Sequence, residues 1–348
     1  MRVVFNVYSS AFQTPGGGEV QLLKTKEYLE KLEISPKLFN IWQDKVQDYQ
    51  ILHTFGSVKY CLGLMQTAHA LGVKNVLSTI CWYSWKSAWG IEASFQERAG
   101  AVLRHATKTV FPSAPSLRKT MMEVSDLLLP NSETEASQLC RYFNIPKEKI
   151  AVIPNGVDPL FEFATSDAFR EKFGFEDEFF LCVGRIEPRK NQLQLVRALS
   201  GIQIPLVFIG KPVHEYRDYY ETCRREAGSN VHFLGGFSQD SSLIASAYAA
   251  CTAFVLPSWL ETPGLAALEA GLAGANVLIT GEGAAREYFK DFVEYVNPSD
   301  RRDIRKKVIR SLDKPRDRNL QKHIKQNYLW SHVAEKTLEV YEQLLQSR

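Results

Sequence analysis

The sequence has no apolar run approaching the ~18 residues needed to span a bilayer, so passage through a membrane is not expected, while contact with its surface stays open. Cysteine is sparse: six residues at positions 61, 81, 140, 182, 223 and 251 form no C-x-x-C pair and no metal-type spacing. This argues against a disulfide scaffold or a zinc ribbon and implies a reduced, cytoplasmic protein. Cys182 and Cys251 stand within or beside apolar runs and read as small core residues. An excess of one charge is missing too. Forty-two basic against 39 acidic side chains leave +3, concentrated in the first half and too small to imply a nucleic-acid partner. No D-x-D pattern and no His/Asp cluster with ligand spacing occurs, so no metal site is expected. The opening "RVVFNVY" reads as a strand, not a signal peptide.

The chain does have ample material for a core: 348 residues, 45% hydrophobic, a length that suits two domains. Short apolar runs read as strands at 2–7, 38–41, 49–53, 74–79, 107–110, 127–129 and 150–153. A second series follows at 179–183, 205–209, 231–234, 252–256, 276–280 and 293–296. Helical patterns lie between them, such as "EVQLLKTKEYLEKL" with Glu27 and Lys31 at i,i+4. Strands alternating with helices predict an α/β fold of two doubly wound parallel sheets. The Pro-, Gly- and Asn-rich "IPNGVDPLFEF" (153–163) marks the boundary, with a first domain at 1–157 and a second from 158. Ligands of such sheets bind beyond the carboxyl ends of the strands, and two Rossmann-like domains facing each other would form a cleft there.

Three stretches carry chemistry. "TPGGGEVQ" (14–21) follows the first strand and opens a helix, where glycines let amides approach a phosphate. Gln21 stands where a dinucleotide fingerprint needs its third glycine, and a plain flexible turn explains the glycines equally well. In "LCVGRIEPRKNQLQLVRAL" (181–199) a strand ends at Gly184 and a helix starts near Pro188, with Leu193, Val196 and Leu199 as its buried stripe. Arg185 and Lys190 fall outside that stripe, either simply solvated or arranged for a diphosphate. In "SWLETPGLAALEAGLAG" (258–274) Thr262 reads as a helix N-cap and Pro263 as its first residue. Gly264 and Leu265 then offer free amides. Glu269 shares an apolar face with Leu265, Leu268 and Leu272, which suits either a structural ion pair or a vicinal diol such as a ribose.

"VGRIEPRKN", the E-x7-E of "ETPGLAALE", "PGGGE" and "IAVIPNGVDPLF" together resemble glycosyltransferase family 4, also called glycosyl transferases group 1, whose members are retaining and have the GT-B fold. "NYLWSHVAEKTLEVYEQLL" is similar to the family's last helix, which divides the second half into a donor domain at 158–325 and a helix at 326–348 crossing back to the first, acceptor-side domain. The resemblance implies transfer of a sugar from a UDP- or GDP-type nucleotide diphosphate-sugar to an acceptor hydroxyl, on a glycan or a lipid-linked glycan. No cofactor and no metal are implied, the nucleotide-sugar being a co-substrate. It assigns Glu269 to the donor ribose and the Gly264 and Leu265 amides to the diphosphate. Glu261 faces the transferred sugar, while Arg185 and Lys190 neutralise the leaving diphosphate, with Glu261 counted beside them as catalytic. Gly16 and Gly17 close over the diphosphate from the other domain. The alternatives are a nucleotide-sugar-binding protein without turnover and a sugar-nucleotide epimerase.

Two features depart from the family. Many relatives carry a histidine after the fourth strand, whereas "VLSTICWYSWKSAWG" (76–90) has none, and Asn276 stands where proline is common. His53 is placed at the cleft side, with a structural role as the competing reading; His105 reads as structural. Trp82, Tyr83, Trp85 and Trp89, followed by Lys86, Arg98, Arg104, Lys108, Arg118 and Lys119, read either as core aromatics beside a solvated basic face or as a surface for the acceptor and an anionic membrane.

Overall fold

The structure is a computed structural model and describes residues 1–13, 15–91, 95–111, 114–237 and 242–346, without the side chains of 95, 97, 98, 101, 104, 105 and 108. The chain forms two compact units. One contains Met1–Tyr83, Leu103–Gly156 and Tyr328–Arg348; the other contains Ser84–Val102 and Val157–Asn327. Residues 84–102, assigned by the sequence boundary to the first unit, thus cluster with the second. Packing shows why: Gly90 lies so close to Trp259 that a Cβ there would stand 2.1 Å from the indole ring.

The first unit holds a five-stranded sheet, β1 (Val3–Asn6), β2 (Lys37–Leu38), β3 (Ile51–Phe55), β4 (Lys74–Ser78) and β5 (Leu127–Leu128), in the order β2-β1-β3-β4-β5. Every pairing is parallel. Val4, Leu52, Leu77 and Leu128 from successive strands meet Met65, Met121 and Leu139 from the flanking helices in one buried cluster. Helix Gly17–Glu30 follows β1 and packs beside helix Trp330–Gln346. The expected strand at 107–110 is instead the end of helix Phe95–Val110, and 150–153 contributes only a single bridge, Leu128 to Ile150.

The second unit holds a six-stranded sheet: β6 (Phe180–Val183), β7 (Leu206–Ile209), β8 (Val231–Phe233), β9 (Ala253–Leu256), β10 (Asn276–Thr280) and β11 (Glu294–Val296). Their order is β11-β10-β9-β6-β7-β8, again all parallel. β6, β7, β9 and β10 are buried along their whole length, which explains the unbroken apolar sequences of the first three and the apolar centre of β10. The order reverses at β6 and β9, so the crevice outside their carboxyl ends is the place where such a sheet receives a ligand.

Candidate functional site

Three loops meet at the carboxyl ends of the adjacent strands β6, β9 and β10. The β6 loop leaves Gly184, makes one 3-10 turn at Pro188–Lys190, and enters helix Gln192–Ala198 through Asn191. Asn191 has a left-handed backbone (φ 62°) that separates the turn from the helix, so the α-helix starts later than Pro188. Its side-chain amide donates to the Pro257 and Pro298 carbonyls at 3.0 Å each, tying this loop to the one after β9. Arg189 adds a second tie. Its guanidinium donates to the Leu260 carbonyl at 3.0 Å, and its carbonyl accepts from the Trp259 amide at 2.9 Å. Buried Glu187 holds Arg189 at 2.9 Å and Arg185 at 3.5 Å.

Lys190 and Glu261 form the centre of this arrangement. Lys190 Nζ donates to Glu261 Oε1 at 2.7 Å, with side-chain exposures of only 14% and 4%. Burial lowers the Lys190 ammonium, with Glu261 opposing it. Burial would raise the Glu261 carboxyl, but the Lys190 and Arg189 charges outweigh this and hold it below its usual range. The two residues read from sequence as separate contacts, one to diphosphate and one to sugar, are thus bonded to each other. Glu261 is also fixed through its backbone: its amide donates to the Glu282 carbonyl at 3.2 Å and its carbonyl accepts from Ala284 at 2.9 Å. A Cβ at Gly283 would stand 2.1 Å from the Glu261 carbonyl oxygen, so only glycine permits this approach.

These backbone bonds keep residues 261–263 out of the helix. The cap is therefore Gly264 (φ 90°), and the helix runs Leu265–Leu272, correcting the Thr262 cap and the Pro263 start. Ala267 and Leu268 already donate to the Gly264 carbonyl, whereas the amides of Gly264, Leu265 and Ala266 have no acceptor among the described residues. Open amides at a helix start favour an anion. Glu269 is half-buried and not enclosed by leucines: Leu268 and Leu272 are buried, but Leu265 is partly exposed. Tyr248 donates its hydroxyl to Glu269 Oε2 at 2.8 Å. Burial first, and the Glu269 charge second, push that phenol well above its ordinary pKa. Tyr248 lies in "SLIASAYAA", where nothing marks it as a carboxylate partner.

In the first unit Gly16 caps helix Gly17–Glu30, and its amide donates to the Glu19 carboxylate at 2.7 Å. The other Glu19 oxygen accepts from the Tyr8 hydroxyl at 3.0 Å, so the glycine turn is braced and not loose. His53 is not on an accessible edge. It is 1% exposed in β3, with Nδ1 2.5 Å from the Tyr341 hydroxyl, Nε2 2.9 Å from Ser78 Oγ, and its ring stacked on Phe55 at 4.1 Å. Burial lowers its pKa to about 3. The acceptor assignment of His53 is therefore replaced by a structural one. Trp82 is half-buried, whereas Trp85 and Trp89 are 44% and 63% exposed on helix Trp85–Gly90, which makes them surface residues instead of core. Lys86 between them pairs with Glu282 at 2.6 Å. The side chains of Arg98, Arg104, His105 and Lys108 lie outside the described residues. Arg118 lies 3.5 Å from the Tyr83 hydroxyl and Lys119 3.8 Å from Glu123. No helix among the described residues is long and apolar enough to cross a membrane.

Two concavities open at the opposite, amino-terminal edge of the second sheet, one lined by Asn276, Lys307 and Arg310, the other by Arg170, Thr252 and Arg316. Three of their cations are engaged: Lys307 with Asp303, Arg310 with Glu294, and Arg316 with the Ala249 and Cys251 carbonyls. Asn276 donates to the Lys314 carbonyl, which gives this departure from proline a structural purpose.

Residues 165–328 match the family model described as glycosyl transferases group 1, and residues 10–159 match glycosyltransferase family 4. An uncharacterized glycosyltransferase of Methanocaldococcus jannaschii is 30% identical over 60% of this chain and 58% of its own length. The serotype-specific mannosyltransferase WbdA of Escherichia coli is 30% identical over 65% of this chain but 30% of its own. A D-inositol 3-phosphate glycosyltransferase of a Nocardioides species is 27% identical over 64% and 54%. The matches thus span less than two thirds of each relative. Among solved structures, sucrose-phosphate synthase from Thermosynechococcus elongatus superposes with a TM-score of 0.78 at 18% identity, covering all of both chains. Anabaena HepE in complex with UDP and glucose gives 0.72 at 17%, covering 98% and 99%.

Proposed function

Because the chain belongs to glycosyltransferase family 4 (glycosyl transferases group 1) and has the GT-B fold, we propose that it moves a sugar from a nucleotide diphosphate-sugar to an acceptor hydroxyl, with retention at the anomeric carbon. The observation that carries this reading is the buried Lys190–Glu261 pair beside three open amides at the switch between β6 and β9. A nucleotide diphosphate-sugar offers anionic oxygens for the amides and for the remaining donors of Lys190, and hydroxyls that Glu261 can accept.

In this reading the diphosphate lies against the Gly264 and Leu265 amides, with Arg185 and Lys190 as its cations. Charge grows on the diphosphate as the glycosidic bond breaks, so donors fixed there act mainly in the transition state. The diphosphate, acting from the same face as the acceptor, takes the acceptor's proton. Such a route needs no histidine after β4 and is consistent with a His53 that is enclosed and neutral. Glu261 holds the sugar's hydroxyls and, through Lys190, links sugar position to diphosphate charge. Glu269, steadied by Tyr248, accepts from the ribose. We propose the reaction as metal-independent, since two cations and several amides already complement the leaving group.

The acceptor is proposed to be a glycan or a lipid-linked glycan, met in the cytoplasm or at an anionic membrane face. Exposed Trp85 and Trp89 support it, because an indole suits both a sugar ring and an interfacial surface. WbdA's name as a mannosyltransferase supports transfer of a hexose, and HepE, solved with UDP and glucose, supports a UDP-sugar.

The test is nucleotide binding by Glu269→Gln. The amide keeps the shape but loses charge-assisted acceptance, worth about 1.5–3 kcal/mol, so affinity for UDP or GDP should fall about 10- to 100-fold. Unchanged affinity in a folded variant overturns the donor assignment. Product analysis with UDP- and GDP-hexoses separates transfer from epimerisation and from binding without turnover.

A further inference from the structure

Glu135 is fully buried, yet it lies in none of the motifs that mark the site. It is the third residue of helix Glu133–Phe143, whose cap is Ser132. A glutamate there commonly folds back on the cap, needing only one carboxylate oxygen for local donors. Here Oε2 does the local work, accepting from the Asn131 amide at 3.0 Å. Oε1 is directed elsewhere, accepting from Thr79 Oγ1 at 2.5 Å and from the Cys81 amide at 2.6 Å. One turn further along the helix, Gln138 exchanges two bonds with Tyr83, accepting from its amide at 2.8 Å and donating to its carbonyl at 3.1 Å. Both side chains thus grip the loop that follows β4.

The two bonds to Glu135 Oε1 bracket Ile80. That residue has φ 42°, a left-handed backbone that a β-branched side chain rarely adopts and that costs about 1–3 kcal/mol. Its side chain reaches the glycine turn: a Cβ at Gly18 would stand 3.3 Å from Ile80 Cδ1. A loop that only connected β4 to the next element would have no need of this conformation.

We infer that Glu135, with Gln138, is a positioning residue for the acceptor: it holds loop 79–83 in one strained conformation, so that Ile80 forms an apolar wall against the glycine turn and the acceptor meets a preformed surface. This rests on the proposed transfer reaction, with the first unit on the acceptor side. Glu135 touches no reacting atom. It acts through Thr79, Cys81 and Ile80, and a loop held in this way fixes the acceptor's approach without supplying a base.

The experiment compares wild type with Glu135→Gln, Gln138→Ala and the double variant Glu135→Gln/Ile80→Gly. Methyl glycosides serve as acceptors, UDP- and GDP-hexoses as donors, and UDP and GDP as binding probes. A glutamine at 135 brings an NH2 group toward positions that are themselves donors, so the loop should loosen. The expected result is a fall of at least tenfold in kcat/KM for the acceptor in both single variants, with nucleotide Kd within twofold of wild type. Glycine at 80 adopts φ 42° without strain but removes the apolar wall, so the double variant should not regain the loss; recovery would place the effect in the strain alone and overturn Ile80's part in the surface. Unchanged acceptor kcat/KM in folded single variants overturns the inference, as does an equal weakening of nucleotide binding. If wild type transfers no sugar, the function reading fails separately. Hydrogen exchange then decides for the loop: faster exchange of the 79–83 amides in both single variants supports the inference, and unchanged exchange overturns it.

Discussion

Lowering the pH from 7 to 5 should weaken the first unit through His53. The imidazole is enclosed by Phe5, Phe55, Ser78 and Tyr341, and burial depresses its pKa to about 3. In the unfolded chain it titrates near 6.5. Between those two values the unfolded state binds a proton that the folded state does not, so stability rises with pH across that window. The contribution is complete above about pH 6.5 and lost as the pH falls toward 3. At about 1.36 kcal/mol per unit, the step from 6.5 to 5 removes about 2 kcal/mol. Replacement by glutamine abolishes this titration, though the variant will be less stable at pH 7 for want of the ring contacts. The assay is urea unfolding at pH 7 and pH 5, with exchange of the Ile51–Phe55 amides as the local readout for β3. Wild type should lose about 2 kcal/mol more than His53→Gln over that interval. Parallel losses would mean that the ring already carries a proton or exchanges with solvent, and the structural assignment of His53 would fall.

Breaking the Lys190–Glu261 pair should be costly from either side. Lys190→Ala or Glu261→Ala leaves one charge buried without its partner, a loss of about 3–5 kcal/mol, whereas the double alanine variant should lose less than the sum of the two, and strict additivity in a denaturation cycle would contradict the pairing. Gly264→Ala places a side chain at φ 90°, a strain of about 1–3 kcal/mol, with its Cβ 3.2 Å from Ile279 Cδ1. A lowered Tm and weaker UDP or GDP binding should appear together, because the same turn presents the open amides; normal binding would detach those amides from the nucleotide.

All six strands of the second sheet were legible in the sequence to within about two residues; for β6, β7 and β9 the reason is burial on both faces, which requires an unbroken apolar run. The stretch "TKTV" at 107–110 misleads for a different reason. Four residues of β-type composition are too few to show whether they end a helix. The residues of the donor-side loops were visible as types in a pattern, but not their partners. That Lys190 would meet Glu261, 71 residues away, depends on β6 and β9 becoming neighbours, which local periodicity does not encode. Glu269 looked enclosed because its helix was read from leucine spacing alone, while the half-exposure of Leu265 follows from the late helix start at Gly264. Glu135 carried only the capping signal of a glutamate three residues after Ser132, and Tyr248 carried none. A carboxylate in a capping position and a tyrosine in an alanine-rich helix acquire their significance only from tertiary contacts.

The bond between His53 and Tyr341 joins residues 288 positions apart, and this has a consequence for synthesis. A ribosome makes β1 through β5 first, yet the helix carrying Tyr341 emerges only after all of Val157–Asn327. Chains with several units usually complete them in the order of translation. Here the later-made unit has its full complement of strands while the earlier one still exposes the His53 ring that Tyr341 will cover and the face of helix Gly17–Glu30 that helix Trp330–Gln346 will cover. During that interval the nascent first unit presents an uncovered apolar face, and a chaperone or the second unit's own speed of folding sets how long it stays so. Chains truncated after Asn327 should therefore be protease-sensitive in residues 1–83 and 103–156 and protected in 84–102 and 157–327.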